Sequence, residues 1–292
     1  MDEIKVLARG KVNLTLDVLG RYPDGYHQVE MVMQSVDLAD EVTLTRTKDE
    51  IVLTSEHPEV PLGPENIAYR AAELLKTKYQ VAAGVHIHIH KQIPVAGGMA
   101  GGSTNGAAVL IGLNQLWNLN LSQQELLREG FRLGADVPFC IMGGTAIARG
   151  KGEALEELPP PPELWLVLVK PSFGVSTAQV YGQLDLQNLG ARPDTSAMVE
   201  ALATNNLTEI SANLVNVLES ATLKLYPQVA LIKQQMREAG ALQTLMSGSG
   251  PTVFGLARDQ HHAQQVAQHL QAAVDGQIII TRTTNQGCVL QD

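Results

Sequence analysis

The sequence predicts an α+β protein of two domains. Its 292 residues exceed what a single hydrophobic core usually serves. Stretches with the period of strands are mixed with stretches of helical period, without the regular strand–helix alternation of a doubly wound sheet. Pro159–Pro162 is a run of four prolines, which fits neither a sheet ladder nor a helix interior. We therefore predict domains at 1–158 and 159–292.

The composition limits the classes of function. Apolar residues make up 45% of the chain and charged residues 17%, as in an ordinary soluble globular protein. The formal net charge of −9 argues against nucleic-acid and anionic membrane partners, which require a basic face. Two cysteines, Cys140 and Cys288, imply no disulfide framework. We expect a cytoplasmic protein that acts on small molecules.

The elements of the first domain are predicted from hydrophobic periodicity and from residues that typically begin or end helices and strands. Strands are predicted at Lys5–Leu7, Val12–Leu19, Val29–Val36, Val42–Leu53 and Val85–Lys91, with a turn at Pro23–Gly25. Helices are predicted from Pro64 to about Tyr79, from Ser103 to Trp117, and from Ser122, which forms a capping box with Glu125.

The second domain is read in the same way. Strands are predicted at Trp165–Val169, Leu242–Met246, Val253–Leu256 and Ile278–Thr281. Helices are predicted to start at Thr177–Tyr181 and to cover Leu207–Leu218, Pro227–Ala239 and Gln260–Val274. Gly240 is the residue expected to end the third of these helices, in the left-handed conformation. His261 and His262 are interpreted as surface residues.

The glycine-rich segment Pro94–Ala108 is the strongest indication of a ligand. It follows a predicted strand and enters a helix that is apolar nearly all round, so its backbone can approach a ligand closely. Unpaired amides and the macrodipole at a helix N-terminus suit a phosphate. Neither the P-loop pattern nor the dinucleotide fingerprint is present. From the residues alone, a surface loop without a ligand remains the alternative.

Two charged residues lie in otherwise apolar surroundings. Lys11 stands in Gly10–Leu14, and Asp136 stands in Leu133–Phe139. A solvated lysine and a carboxylate that caps a helix or turn are the plain alternatives. Together the two side chains would form a pair that activates a hydroxyl acceptor.

Histidines occur in two further patterns. Tyr26 and His27 follow the predicted turn and would suit a nucleobase, although a plain surface turn fits equally well. His86, His88 and His90 alternate along a predicted strand, where residues i and i+2 lie about 6.6 Å apart. We interpret these three as the outer face of the strand and predict no direct metal ligands.

Three segments, in this order, resemble the motifs of the GHMP small-molecule kinases: Gly10–Leu14, Pro94–Ala108 and Ser247–Phe254. Arg21–His27 and Leu133–Phe139 resemble members of the non-mevalonate isoprenoid pathway that act on a cytidine-diphosphate alcohol. The resemblance covers almost the whole chain. It implies a ribosomal-protein-S5-like N-terminal domain and a ferredoxin-like C-terminal domain. We expect a monomer or weak homodimer.

The resemblance also implies residue roles for transfer of the ATP γ-phosphoryl, with Mg²⁺ expected, to the 2-hydroxyl of that alcohol. Asp136 matches the catalytic base and Lys11 its partner. The matching substrate-binding residues are Asn13, Tyr26, His27, Thr177 and Tyr181. The matching ATP-binding residues are Asn66, Lys91, Pro94, Val95, Ala96, Gly97, Gly98, Met99, Ala100, Gly101, Gly102, Ser103 and Thr104. A homoserine or mevalonate type of GHMP kinase, or a weakened nucleotide-binding homologue, is the alternative.

Two places depart from the family pattern. Arg9-Gly10 stands where Pro-Ala is usual, and Gly106 stands where alanine is usual. Glycine in a first helical turn costs up to about 1 kcal/mol relative to alanine. Impaired nucleotide affinity or rate is therefore expected first at Gly106.

Overall fold

The computed structural model describes residues 2–160 and 162–291, so Pro161 of the predicted proline connection lies outside the described residues. The strands are β1 (Glu3–Arg21), β2 (His27–Thr47), β3 (Ile51–Thr54), β4 (Gly84–His90), β5 (Thr145–Gly150), β6 (Ala154–Leu158), β7 (Trp165–Pro171), β8 (Val215–Asn216), β9 (Gln243–Met246), β10 (Val253–Ala257), β11 (Gly276–Arg282) and β12 (Cys288–Gln291). The helices are α1 (Ile67–Lys78), α2 (Gly101–Leu116), α3 (Gln123–Leu133), α4 (Val137–Met142), α5 (Thr177–Gly182), α6 (Thr195–Ala203), α7 (Leu207–Ala212), α8 (Glu219–Leu225), α9 (Pro227–Glu238) and α10 (Gln260–Leu270).

A long hairpin of β1 and β2 forms the centre of an eight-stranded sheet. Its turn is closed by the Gly25 N–H, which donates to the Tyr22 carbonyl, and Gly25 has a φ of 91°, which glycine adopts easily. β5 and β4 pair with different halves of β2, whereas β8 and β12 pair with different halves of β1. The sheet is thus completed by strands beyond residue 158, and the domain boundary stays a prediction.

Helices α1 to α4 contribute to one core with the strands β1, β2 and β4. The predicted burial of α2 is confirmed, because Ala107 to Leu110 are all inaccessible to solvent. The capping box of Ser122 and Glu125 is also confirmed. α1 begins at Ile67 rather than at Pro64, because Asn66 has extended backbone and its side chain accepts the Ala68 N–H as a cap.

The second half contains a four-stranded antiparallel sheet in the order β11-β7-β10-β9. With helices between β7 and β9 and between β10 and β11, this is the ferredoxin-like order, and the predicted α+β fold is confirmed. Leu168 and Phe254 of this sheet share a core with Val12 and Leu14 of β1. The sequence neighbours of Lys11 and Asn13 are therefore fixed against the second half of the chain.

Several predicted elements differ from the structure. β1 is one strand where two were predicted. Bulges between Arg9 and Lys11 and between Asn13 and Thr15 interrupt the alternation of inward and outward side chains, but β1 stays paired with β2 on both sides of them. The predicted strand Val42–Leu53 is divided, with its parts in β2 and β3. The predicted helix Leu207–Leu218 ends at Ala212, because the following residues pair with β1 as β8.

The histidine predictions have different outcomes. Val85, Ile87 and Ile89 are fully buried, and the Thr54 hydroxyl lies within 3.0 Å of ring nitrogens of His86 and His88 on the other face. Within residues 2–160 and 162–291, no three His, Cys, Asp or Glu side chains are grouped to hold a metal ion. The surface prediction for His262 is wrong, because its ring is buried and Nδ1 accepts the Arg258 N–H. None of the helices described is long and apolar enough to cross a membrane.

Candidate active site

A cleft of about 910 Å³ is lined by residues of both halves of the chain. It contains Lys11 and Asp136, the five residues predicted to bind the acceptor, and every residue predicted to bind ATP except Thr104. Nearly all of the predicted site residues therefore lie in one cleft, although their roles stay predictions.

The phosphate loop, residues 94–102, is held in a shape that leaves the N-terminus of α2 facing the cleft. Ala96, Gly98 and Ala100 have φ values of 50°, 74° and 58°. Ala100 is the N-cap residue of α2 and provides no side-chain cap. The first amides of a 16-residue helix and its positive macrodipole end are therefore available to an anion.

The three glycine-containing motifs contact one another around this loop. The Ser247 hydroxyl donates to the Gly98 carbonyl at 2.9 Å, and the Lys11 N–H donates to the Met99 carbonyl at 3.2 Å. A Cβ at Gly98 would lie 2.2 Å from the Ser247 carbonyl oxygen, so only glycine allows this approach. The third motif thus fixes the loop from one side and β1 fixes it from the other.

Thr104 is the one residue predicted to bind ATP that does not line the cleft. Its side chain is fully buried, its hydroxyl donates to the Arg9 carbonyl at 2.7 Å, and its N–H donates to the Ala100 carbonyl. Successive helical residues point about 100° apart, so Ser103 lines the cleft while Thr104 faces β1. Neither polar group of Thr104 is available to a phosphate.

Lys11 and Asp136 meet in the middle of the cleft. The Lys11 ammonium lies 3.8 Å from Asp136 Oδ2 and donates to Asn13 Oδ1 at 2.8 Å. The two bulges of β1 flank Lys11 and Asn13, which is a common way for a strand to direct side chains into a site. Lys11 is 5% exposed, so its charge acts in a poorly solvated environment.

Asp136 occupies the N-cap position of α4, but its side chain makes no capping hydrogen bond. Its carboxylate is 33% exposed and lines the cleft. The plain alternative of a capping aspartate is therefore not what the structure shows. The carboxylate is instead positioned to contact a molecule in the cleft.

An aromatic pair lies in the cleft, among the residues predicted to bind the acceptor. The rings of His27 and Tyr181 are 4.8 Å apart between centroids and tilted by 37°. Burial lowers the pKa of His27, and the charge of Arg21 lowers it further. Burial, followed by the charge of Asp136, raises the pKa of Tyr181. The imidazole is therefore neutral and the phenol protonated at neutral pH.

Lys151 is a cleft residue that the sequence analysis missed. Its ammonium lies 2.5 Å from Asp24 Oδ2 and 4.6 Å from the centre of the Tyr26 ring, which is itself 59% exposed. The hydrogen bond from Lys151 lowers the pKa of Asp24, and the Tyr26 N–H adds to this effect. A lysine between two glycines after a strand was the only signal in the sequence.

Asp40 is a second missed residue, and it holds together several residues beside those predicted to bind ATP. Its fully buried carboxylate accepts from the Lys91 ammonium, from the N–H groups of Gln92 and Ile93 at 2.8 Å, and from Asn105 Nδ2 at 2.8 Å. Burial lowers the pKa of Lys91, and Asp40 opposes that shift. Asp40 therefore connects the segment that enters the phosphate loop to α2.

Asn216 and Thr177 connect the third motif to the rest of the site. Asn216 Nδ2 donates to the carbonyls of Met246 at 2.8 Å and Gly248 at 2.7 Å. The hydroxyls of Thr177 and Ser249 lie 2.8 Å apart, and both residues line the cleft. Thr177 and the loop at residues 94–102 are thus connected through hydrogen bonds of the third motif.

Comparison with known proteins assigns the class. The pattern of the GHMP kinases N terminal domain matches residues 66–144, and that of the GHMP kinases C terminal domain matches residues 198–276. The chain belongs to the GHMP kinase family and is a small-molecule kinase, for which ATP is the co-substrate. Family membership agrees with the loop, the Lys11–Asp136 pair and the two-sheet fold described above.

Relatives within the family are more specific. The 4-diphosphocytidyl-2-C-methyl-D-erythritol kinase of Pelotomaculum thermopropionicum is 52% identical over 283 residues, covering 97% of this chain and 98% of the relative. The protein of the same name from Bacillus subtilis is 48% identical over 269 residues, covering 92% and 93%. A crystal structure of 4-(cytidine 5'-diphospho)-2C-methyl-D-erythritol kinase aligns with a TM-score of 0.82 at 34% identity, covering 97% of this chain and 100% of that one. The homoserine kinase of Cytophaga hutchinsonii, at 22% identity and a TM-score of 0.78, shares the fold and covers 100% and 98%.

Proposed function

We propose that the protein transfers the γ-phosphoryl group of ATP to the 2-hydroxyl of 4-diphosphocytidyl-2-C-methyl-D-erythritol, a step of the non-mevalonate isoprenoid pathway. The observation that carries this proposal is the position of the Lys11–Asp136 pair in the cleft that also contains the phosphate loop and the His27–Tyr181 pair. Names of relatives at about half identity over nearly the whole chain support the choice of acceptor.

The donor half would bind the ATP polyphosphate at residues 94–103. Amides at the N-terminus of α2 supply positive potential locally, which a chain of net charge −9 does not supply as a whole. Asn66 and Lys91 line the cleft beside the loop, where the adenine would lie. Mg²⁺ would bind mainly through the phosphates, and the Ser103 hydroxyl lies on the cleft side of the helix.

The transfer step needs positioning and charge stabilisation more than a strong base. Asp136 would orient the acceptor hydroxyl and take its proton as the oxygen bonds to the γ-phosphorus. The bond from the γ-phosphorus to the bridging oxygen breaks, and ADP leaves with that electron pair. Lys11, a compact charge with little exposure, would stabilise the negative oxygens of the transferring group.

The acceptor half would read cytosine at His27. A neutral imidazole offers one donor and one acceptor, and cytosine presents an amino donor next to acceptors on its pairing edge. The Tyr181 ring lies against His27, and Tyr26 lies at the open side of the cleft, so each offers an aromatic face to the base. Asn13 and Thr177 line the cleft between the aromatic rings and the loop motifs and would contact the remainder of the acceptor.

We further infer a cytoplasmic enzyme, active as a monomer or weak homodimer, that has no nucleic-acid partner. The acidic net charge supports this last point, because phosphate backbones require a basic surface. The division into domains at 158/159 is kept as part of the same proposal.

The proposal is tested by ADP release with Mg-ATP and each of three alcohols. We expect turnover with 4-diphosphocytidyl-2-C-methyl-D-erythritol and none with homoserine or mevalonate. Turnover with homoserine alone, or with mevalonate alone, would refute the acceptor assignment. ADP release with none of the three would support a weakened nucleotide-binding homologue instead.

A further inference from the structure

Gly106 is packed against a specific side chain of another helix. It lies in the second turn of α2, where a Cβ would be 2.5 Å from Ile67 Cγ2 and 3.5 Å from Ile67 Cβ. Real Cβ atoms do not approach other atoms so closely, so Ile67 occupies the space that an alanine methyl group would need. The glycine that departs from the family pattern therefore has a packing partner in this chain.

Ile67 has little freedom to move away. It is the first residue of α1, and the preceding residue, Asn66, is fixed by its bonds to the Ala68 N–H and to the Pro61 carbonyl at 2.7 Å. Isoleucine is branched at Cβ and is stiff at χ1 in a helix. A shift of its Cγ2 would therefore require movement of the α1 backbone, together with Asn66.

Ile67 also lines the cleft. Its neighbours in the lining include Val60, Pro61, Glu65 and Asn66, and its Cδ1 lies 3.9 Å from the position of a Cβ on Gly102 of the phosphate loop. The start of α1 therefore forms the wall of the cleft that faces the beginning of α2. This is the half of the cleft in which the proposed function places ATP.

We propose that Gly106 is a positioning residue for the nucleotide site, because the missing Cβ allows Ile67 and Asn66 to form this wall. The inference rests on the proposed function only in placing ATP in this half of the cleft. It replaces the expectation that Gly106 weakens the site. Glycine is a poorer helix former than alanine, but its missing side chain lets α1 and α2 pack more closely here. Alanine at 106 would improve helix propensity and still damage the site.

The test measures binding of a non-hydrolysable ATP analogue by titration calorimetry, without any alcohol present. We expect Gly106→Ala to weaken binding roughly tenfold, because the methyl group pushes Ile67 and Asn66 toward the cleft. The double variant Gly106→Ala with Ile67→Leu should recover most of the affinity, because leucine lacks the Cγ2 branch at Cβ. The affinity of Ile67→Leu alone, measured in the same way, is the reference with which the double variant is compared.

Gly112→Ala is the matched control. It lies in the same helix, where its Cβ would be 2.3 Å from Leu44 Cδ1 and 3.1 Å from Val6 Cγ2, both in the core and outside the cleft lining. It should lower the midpoint of thermal unfolding but leave the affinity for the analogue unchanged. The inference would be overturned if Gly106→Ala left the affinity for the analogue unchanged, or if Gly112→Ala lowered that affinity equally. It would also be overturned if adding Ile67→Leu to Gly106→Ala did not restore affinity.

The proposed function fails in a different way. The unaltered protein would then bind no analogue, which overturns both proposals, or would bind the analogue and phosphorylate another alcohol. In the second case the effects at Gly106 and Ile67 would still be observed, so failure of the acceptor assignment is distinguishable from failure of this inference.

Discussion

Replacement of Asp40 by asparagine, which has the same shape but no charge, should lower the free energy of unfolding. Among the carboxylates described above, we expect this loss to be the largest at Asp40. The carboxylate is fully buried and accepts from four donors: the Lys91 ammonium, two backbone N–H groups and Asn105. An asparagine side chain has one acceptor oxygen and places its own N–H₂ against the remaining donors. Lys91, only 4% exposed, would keep a buried positive charge without its partner.

The magnitude follows from burial. Removing one partner of a buried ion pair typically costs about 3–5 kcal/mol, because the other charge is left uncompensated. Asp37→Asn is the matched control, since Asp37 pairs with Arg9 and Arg282 but its side chain is 37% exposed. An exposed pair is worth only about 0–1 kcal/mol.

The assay is urea unfolding monitored by far-UV circular dichroism, with both variants and the unaltered protein in one buffer. We expect a large decrease in the midpoint for Asp40→Asn and a small one for Asp37→Asn. Adding Lys91→Met to Asp40→Asn should restore part of the lost stability, because no buried charge remains. A loss below about 1 kcal/mol for Asp40→Asn would show that the carboxylate does not organise the loop in this way.

Three further predictions concern the acceptor and the transfer step. Asp136→Asn should retain binding of an ATP analogue but lower kcat by about 10²–10⁴, because proton transfer is lost; an unchanged kcat would exclude Asp136 as the base. His27→Ala should raise KM for the cytidine substrate and leave KM for ATP unchanged, and an effect on ATP alone would contradict the assignment. The lowered pKa of His27 means that the neutral ring persists to lower pH than in an unfolded chain, so acceptor binding should weaken only as pH falls below the usual histidine value of about 6.5. KM for the cytidine substrate measured between pH 8 and pH 5 should rise only at the acidic end, and this rise should be absent in His27→Ala.

The parts of the fold that were predicted correctly have strong local signals. α2 and its loop were found because glycines, a preceding strand and an all-round apolar helix coincide within Pro94–Trp117. The strands predicted at 165–169, 242–246 and 253–256 are present as β7, β9 and β10. The short strands β8 and β12 were not found, because two to four residues carry no usable period and their pairing with β1 is decided by tertiary contacts.

The site shows the same division between local and distant information. Lys11, His27 and Asp136 stand in recognisable segments, whereas the partner of Lys91 is Asp40, 51 positions away. Thr104 was grouped with Ser103 by adjacency, but helix geometry directs the two side chains to different surroundings. Gly106 was interpreted as a weakness because Ile67, the residue that packs against it, is distant in sequence.

The pairing of β12 with β1 has a consequence for synthesis of the chain. Lys5–Ala8 of β1 pair with Cys288–Gln291, and Cys288 Sγ also donates to the Thr104 carbonyl in the first turn of α2. While the ribosome makes the intervening residues, Lys5–Ala8 of β1 lack this partner strand and the helix behind the phosphate loop lacks this contact. An unpaired edge is a site of wrong association between nascent chains. The sheet that contains β1 is therefore completed only after translation of residues 288–291, long after β1 itself has been made.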